Sequence, residues 1–337
     1  MPTIRDVAKH AGVSVGTVSR VLSENETVQP DYRERVRAAI RALGYKPNFA
    51  ARALRTNKVD VIGLLLPDIT NPFFAQLAKS VEMEAAAHGH FVILANSHDD
   101  PEIERRQISA LLDRSPRGLI VAAASDSEAA EVEADVPILS IDRRLGTHPL
   151  ASVDNRGGAA MVADHLYELG HRAIAYIAGP QTTEVGRIRK YGFVDRMSAL
   201  STVAAPIEVE VYEGKFCFES GEEIAKAVLT GLSPPTAIAS ANDQIAIGAL
   251  RAARDLGMDV PGEVSVAGFD DIELSSLVVP RLTTISQPTA ALAKAAISQI
   301  FDHPDEPQDA ILPGVLVKRG STATAPSPAL APTLASN

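Results

Sequence analysis

The sequence predicts two architectures in one chain. A small all-α helix-turn-helix head leads through a short hinge helix into a two-lobed α/β core with parallel sheets. Three observations predict it. Thr3 to Ser23 has the apolar spacing of two short helices hinged at a glycine. Residues 1–57 carry ten Lys or Arg against five Asp or Glu, a net +5; the whole chain is −10, so residues 58–337 carry −15. From Val59 onward, short apolar runs alternate with amphipathic stretches, the pattern of β–α units in parallel sheets covered on both faces.

In the head, Thr3 is placed to cap the first helix, with Asp6 three residues later where a carboxylate favours the positive helix end. Ile4, Val7 and Ala8 share one face; Ala8 is small where a second helix must cross closely, and Gly12 sits where the chain turns sharply. Ser14 caps the next helix, whose Val18, Val21 and Leu22 face inward. Val15, Gly16, Thr17 and Arg20 are left pointing outward from its N-terminal half, which suits insertion into a DNA major groove. Pro30 opens a third helix running to about Leu43, with Val36, Ala39, Ile40 and Leu43 on its core face, Arg33, Arg37 and Arg41 on another, and Gly44 as the stop.

Pro47 starts a fresh turn, and Asn48 to Arg55 are good helix formers. About eight residues is too short for a stable isolated helix, so this hinge, 47–58, is expected to gain order on binding. Leu54, flanked by Arg52 and Arg55, has the composition of an apolar wedge for a minor-groove base step; the alternative is a flexible linker with Leu54 packed on its neighbour.

In the core, strands are expected at 61–67, 91–96, 118–124, 137–142, 173–179, 207–212, 236–240 and 264–269, with helices between them, among these about 73–88 and 101–113. Nine or ten such units exceed one comfortable sheet, which predicts two lobes. Ligands of open parallel sheets bind beyond the strands' C-terminal ends. There lie Asp68 to Phe74, Asp142-Arg143, Arg189, Asn242-Asp243 and Asp270-Asp271. Phe91 and Phe269 are expected in the core, and Asp243, Asp271 and Arg187 in capping or ion pairing.

Composition narrows the function classes. At 337 residues, two or three domains are expected, and 46% hydrophobic with 22% charged residues describes an ordinary globular chain. No run approaches the ~20 apolar residues of a membrane span, and MPTIRDVAKH lacks a signal-peptide core, so the expected location is the cytoplasm. The single Cys217 precludes an intramolecular disulfide and suits a small packing residue. The eight histidines show no HExxH spacing, and neither metal nor cofactor is expected. No GxxxxGK[ST] loop is present, no GxGxxG follows a strand, and Ser, His and Asp stand in no nucleophile-elbow context, so catalysis is not expected. A basic head on an acidic body is what a DNA-binding module joined to a sensor should show, since the body repels phosphate; the bland alternative is a solvated basic face.

Seven ordered motifs add a resemblance: TIRDVAKHAGVSVGTVSRVL, RVRAAIRALGYKPNFAARAL, NPFF, GHRAIAYIAGP, RKYGF, ANDQIAIGAL and VPGEVSVAGFDDIELSSLVVPRLTTISQP. Over residues 3–320 the chain resembles the LacI/GalR family of bacterial transcription repressors. The resemblance implies a head at 1–46, the hinge at 47–58 and a core at 59–320 of the type I periplasmic-binding-protein-like fold. Its N-lobe would span about 59–156 and 288–312, and its C-lobe about 157–286 and 313–320. Three crossovers would lie near Asn155–Gly157, Ser286–Pro288 and Leu312–Gly314. It also implies base reading by Val15, Gly16 and Arg20, supported by Thr3, Ser14 and Thr17, and hinge contacts from Asn48, Ala51, Leu54 and Arg55. The partners it implies are a pseudo-palindromic double-stranded DNA operator, a small-molecule effector and a second copy of the chain; no membrane is involved. Family tetramers use a C-terminal leucine heptad helix. The Pro- and Ala-rich tail at 321–337 lacks one and reads as disordered, which leaves a dimer.

Sugars present flat apolar faces and a rim of hydroxyls, so their sites need aromatic plates with fixed donors and acceptors. Phe73, Phe74 and Phe216 suit the plates. Asn71, Asp142, Arg143, Arg189, Asn242, Asp270 and Gln287 suit the rim, and matching family positions line the effector cleft. Purine-responsive members use an Arg and a Thr where this chain has Thr183 and Val185, which disfavours a nucleobase. The expectation is a neutral mono- or small oligosaccharide. A phosphosugar, a nucleobase, or sugar binding without any DNA role are the alternatives.

Overall fold

A computed structural model provides the structure and describes residues 2–22, 28–45, 60–126, 132, 134–302 and 308–326. The hinge expectations at Asn48, Ala51, Leu54 and Arg55 lie outside the described residues. The described chain divides into two units, 1–59 and 60–337.

In the first unit, α1 (Ile4–Ala11) opens with the expected cap, closed as a box. The Thr3 N–H donates to Asp6 Oδ2 at 2.8 Å, and the Asp6 N–H donates to Thr3 Oγ1 at 3.4 Å. The Thr3 N–H and the Thr3 hydroxyl, which also donates to Asp6 Oδ2 at 2.8 Å, hold the Asp6 carboxyl below its ordinary pKa. Gly12 ends the helix at φ +63°, a region that costs an L-residue about 1 kcal/mol or more. The Thr17 N–H then donates to Ser14 Oγ at 3.0 Å, starting α2 (Val15–Leu22). Gly44, at φ +59°, stops α3 (Pro30–Leu43). Val7, Ala8, Ala11, Val18, Val21, Val28, Val36 and Ala39 form the head's core. Arg35 closes the motif, its Nη2 donating to the Ala11 carbonyl at 2.7 Å and so filling an acceptor left open at the end of α1.

The second unit begins with β1 (Val61–Leu66), α4 (Pro72–Ala87), β2 (Phe91–Asn96), α5 (Pro101–Leu112), β3 (Gly118–Val121), β4 (Ile138–Ile141) and β5 (Leu150–Val153). Next come α6 (Asn155–Glu168), β6 (Ala173–Ala178), α7 (Glu184–Leu200), β7 (Glu208–Glu213), α8 (Phe218–Leu229), β8 (Ala237–Ser240), α9 (Asp243–Asp255) and β9 (Ser265–Ala267). A 3-10 turn (Glu273–Ser276), β10 (Thr284–Ser286), α10 (Thr289–Phe301), β11 (Ala310–Leu312) and β12 (Val315–Val317) complete it.

One parallel sheet has the order β11-β5-β4-β3-β1-β2 and another β7-β6-β8-β9; β10 and β12 pair antiparallel. The chain leaves the six-stranded sheet after β5, returns to it from β10, and leaves it again after β11 for β12. β1, β3, β4 and β5 are apolar and buried almost throughout, because helices cover both faces of their sheet.

Three expectations need correction. Phe91 is 70% exposed rather than in the core, because β2 is an edge strand and its first residue faces outward. The strands β5, β10, β11 and β12 were not anticipated; each has only three or four residues, too few to show a period. Order also continues past residue 320. Ser321 is fully buried, accepting from the Thr283 N–H at 2.8 Å and donating to the Val266 carbonyl at 2.6 Å, and the Ala325 N–H donates to the Leu169 carbonyl at 2.8 Å. Only 327–337 of the expected tail lie outside the described residues.

Candidate DNA-reading helix and effector cleft

Val15, Gly16 and Arg20 are exposed on the first turns of α2, Thr17 is half-buried, and Thr3 and Ser14 are exposed at their caps. Val18 and Val21 turn the opposite face of α2 into the core. A short helix is thereby held by one face while the start of the other stays open, as groove entry requires. The string Gly12-Val13-Ser14-Val15-Gly16 spells GxSxG. It joins two helices rather than a strand to a helix, and Ser14 caps α2, so it is no nucleophile elbow.

In the second unit, nine of the ten expected effector residues line one cleft: Asn71, Phe73, Phe74, Asp142, Arg143, Arg189, Phe216, Asn242 and Asp270. The tenth, Gln287, stands behind the lining, where its Nε2 donates to Asp270 Oδ1 at 2.8 Å. Val185 also lines the cleft, although from the sequence it spoke only against a nucleobase. The topology explains the convergence. Asn71 follows β1, Asp142-Arg143 follows β4, Phe216 follows β7, Asn242 follows β8 and Asp270 follows β9, all at C-terminal strand ends.

Asn71 and Asn242 each cap a helix through Oδ1, accepting from the Phe73 and Ile245 N–H groups at 3.1 and 2.9 Å. Their amide nitrogens are left as donors on the cleft wall. Asp142 and Asp270 sit at φ +63° and +119°. Such backbone costs of order 1–3 kcal/mol and is stored where a side chain must be aimed. Arg189 is buried and held through its Nε and Nη1. Its Nε donates to Asn155 Oδ1 at 2.8 Å, and its Nη1 donates to the Ala241 carbonyl at 2.7 Å and to Asp270 Oδ1 at 3.1 Å. Its guanidinium carbon lies 3.8 Å from the Phe269 ring centroid, so Phe269 is core, as expected, and also a platform. The Phe216 ring seats against Gly179, where a Cβ would fall 2.3 Å from it.

Burial pushes the Asp142 carboxyl up against the pull of Arg189 and Arg143. Burial likewise raises Asp270, to about 6; Asp142 adds to this, while Arg189 and Gln287 oppose it. Asp142 Oδ1 and Arg143 Nε are buried without a hydrogen-bond partner, one acceptor and one donor. Unmatched buried polar atoms each cost about 1–3 kcal/mol, and here they sit where a polar ligand would satisfy them.

The neighbours expected to be structural are so. Asp243 accepts from the Ile272 N–H at 3.0 Å and from the Ser275 and Thr284 hydroxyls at 2.5 Å each, tying the loop after Asp270 to α9. Asp271 pairs with Arg319 at 2.6 Å. Arg187 pairs with Asp126 at 2.5 Å, and Asp126 also accepts from the Glu184 N–H at 2.7 Å, bridging the loop after β3 to the start of α7. Among the described residues no His, Cys, Asp or Glu cluster is arranged to hold a metal, and no helix is long and apolar enough to cross a membrane.

A groove-ready helix pair and a two-sheet body with a polar, aromatic-walled cleft define a DNA-binding transcriptional regulator with a ligand-sensing core. The model of the lacI family of bacterial regulatory proteins matches residues 3–48, and that of a periplasmic binding protein-like domain matches residues 163–322. The ribose operon repressor of Halalkalibacterium halodurans is 34% identical over 327 residues, covering 96% of this chain and 97% of that one. The HTH-type transcriptional repressor PurR of Photorhabdus laumondii is 35% identical, covering 90% of each. The lac repressor dimer bound to operator and the anti-inducer ONPF is structurally similar at TM-score 0.83 and 29% identity, covering 96% of this chain and 99% of that one. A LacI family regulator from Enterococcus faecium with bound ribose matches at TM-score 0.68 and 28% identity, covering 78% of this chain and 99% of that one. The chain belongs to the LacI family of bacterial regulatory proteins.

Proposed function

We propose that this chain is a cytoplasmic, dimeric repressor whose grip on a pseudo-palindromic operator is set by a neutral pentose of the ribose type held in the core cleft. The observation that carries the reading is the cleft wall itself. Phe73, Phe74 and Phe216 stand beside an unpartnered buried acceptor on Asp142 and an unpartnered buried donor on Arg143. A cyclic polyol presents an apolar face to such plates and both donates and accepts at its rim. Relatives named for ribose support the same class. Val185 and Thr183 offer a nucleobase no cation, which weighs against the purine alternative.

The assigned roles follow. Val15, Gly16, Thr17 and Arg20 read base edges and phosphates, and Thr3 and Ser14 hold the helix starts. Asn48, Ala51, Leu54 and Arg55 act in the hinge, with Leu54 as the wedge. A coupling of ~1–3 kcal/mol between sugar and operator would give about 5–150-fold regulation. No step of this cycle requires a catalytic group, metal or cofactor.

A thermal-shift screen of D-ribose, other pentoses, hexoses, D-ribose 5-phosphate and purines tests the ligand class, with gel-shift titrations for operator binding. D-ribose or a close pentose should stabilise the protein and change its operator affinity. A purine or a phosphosugar as sole stabiliser would overturn the ligand assignment, and no salt-sensitive DNA binding at all would overturn the regulator.

A further inference from the structure

Arg143 is tied down before any ligand arrives. Its side chain is 7% exposed, and its guanidinium carbon lies 5.3 and 5.7 Å from the Phe74 and Phe216 ring centroids. Nη1 donates to Asp99 Oδ1 at 2.8 Å, and Nε lies 3.9 Å from Asp142 Oδ2. Asp99 comes from the turn after β2, held at φ +55°, a conformation that Asp and Asn tolerate better than most residues. A third carboxylate is close by. Burial pushes Glu104 up, while the Ala124 N–H and Arg143 pull it back. Arg189, the other cleft cation, is bonded to Asp270. Each cleft guanidinium is therefore paired with a carboxylate, and an anion entering this cleft would meet more carboxylates than cations.

We propose that Asp99 is a specificity-determining residue: by occupying Nη1 of Arg143 it leaves that arginine only hydroxyl groups to bind and excludes phosphorylated or carboxylated sugars. This rests on the neutral-sugar reading and adds how neutrality is enforced, through a repulsive element rather than an extra attraction. Asp99 contributes no atom to the cleft lining, so its effect on selectivity passes through Arg143.

The test compares the full chain with its Asp99→Asn variant by calorimetry against D-ribose, D-ribose 5-phosphate and D-ribonate. Asn keeps the shape and the backbone preference but removes the charge. The wild type should bind D-ribose and neither anion. Asp99→Asn should bind D-ribose about 2–5-fold more weakly, the scale of a half-exposed ion pair. It should gain measurable binding of at least one anion, shifting the neutral-to-anionic ratio by about tenfold or more. Asp113→Asn, which removes one exposed charge elsewhere in the same lobe, should leave that ratio unchanged. An unaltered ratio in Asp99→Asn, or an equal shift in Asp113→Asn, overturns the proposal while leaving the pentose reading intact. A wild type that ignores D-ribose and binds an anion overturns both.

Discussion

In the head, Arg37 and Arg41 lie exposed on α3 and Arg20 on α2, whereas in the cleft Arg143 and Arg189 are almost buried, each bonded to a carboxylate. The same residue type thus serves two kinds of recognition. Exposed cations attract a polyanion at long range and are screened by salt. Buried, paired cations are screened little, and they act by holding hydrogen-bond donors in fixed positions. What separates the two sites is whether the charge stays in water or is buried as the chain folds.

Salt should break the comparison most visibly. If the head makes 6–10 phosphate contacts as a dimer, operator affinity should fall about 10³–10⁵-fold between 50 and 200 mM salt. D-ribose affinity should change by less than about twofold over the same range. Equal salt slopes, measured by anisotropy and calorimetry, would erase the distinction.

Arg189→Ala comes next. It leaves Asp270 buried and uncompensated, which should cost about 3–5 kcal/mol of core stability in denaturant melts and abolish sugar binding. Adding Asp270→Asn should recover part of the stability and none of the binding; recovered binding would show that the pair is only structural. Gly179→Ala sharpens the aromatic side of the cleft. Its new Cβ would displace the Phe216 ring, and D-ribose affinity should drop about tenfold, or ~1.4 kcal/mol, with operator affinity in the absence of sugar unchanged.

The pH response is smaller. Asp270 is raised from 3.8 to about 6, so between those values the folded chain binds a proton that the unfolded chain does not. That contribution to stability is present at low pH and is lost as pH rises through the window. Sugar binding should run the other way, because only ionised Asp270 keeps its full accepting capacity. Calorimetry should show a few-fold loss of affinity as pH falls through about 6, and Asp270→Asn should flatten the profile. Smallest of all, Ser14→Ala removes the α2 cap and should destabilise the head by about 1 kcal/mol without touching sugar affinity.

The head was almost wholly legible in the sequence, because caps and stops are local: Thr3, Gly12, Ser14 and Gly44 each sit within a few residues of the groups they satisfy. The cleft was legible where a polar residue comes within five residues of the end of an apolar strand, as at Asn71, Asp142, Asn242 and Asp270. It was not legible where the partner comes from elsewhere in the chain. Asn155, which accepts from Arg189, follows the unanticipated β5, and Asp99 reaches Arg143 across 44 residues. Phe91 failed for a related reason: a run such as FVILAN has one composition whether the strand is central or at an edge, and only pairing decides.

The late segments of the chain are structural in both lobes. α10 packs on α4, β11 closes one edge of the six-stranded sheet, and Ser321 and Ala323 bond into β9. A ribosome that has delivered residue 280 has therefore completed neither lobe. The earlier strands must wait, with apolar edges uncovered, for the last forty-odd described residues to emerge, so vectorial synthesis here ends in one joint closure rather than two successive ones.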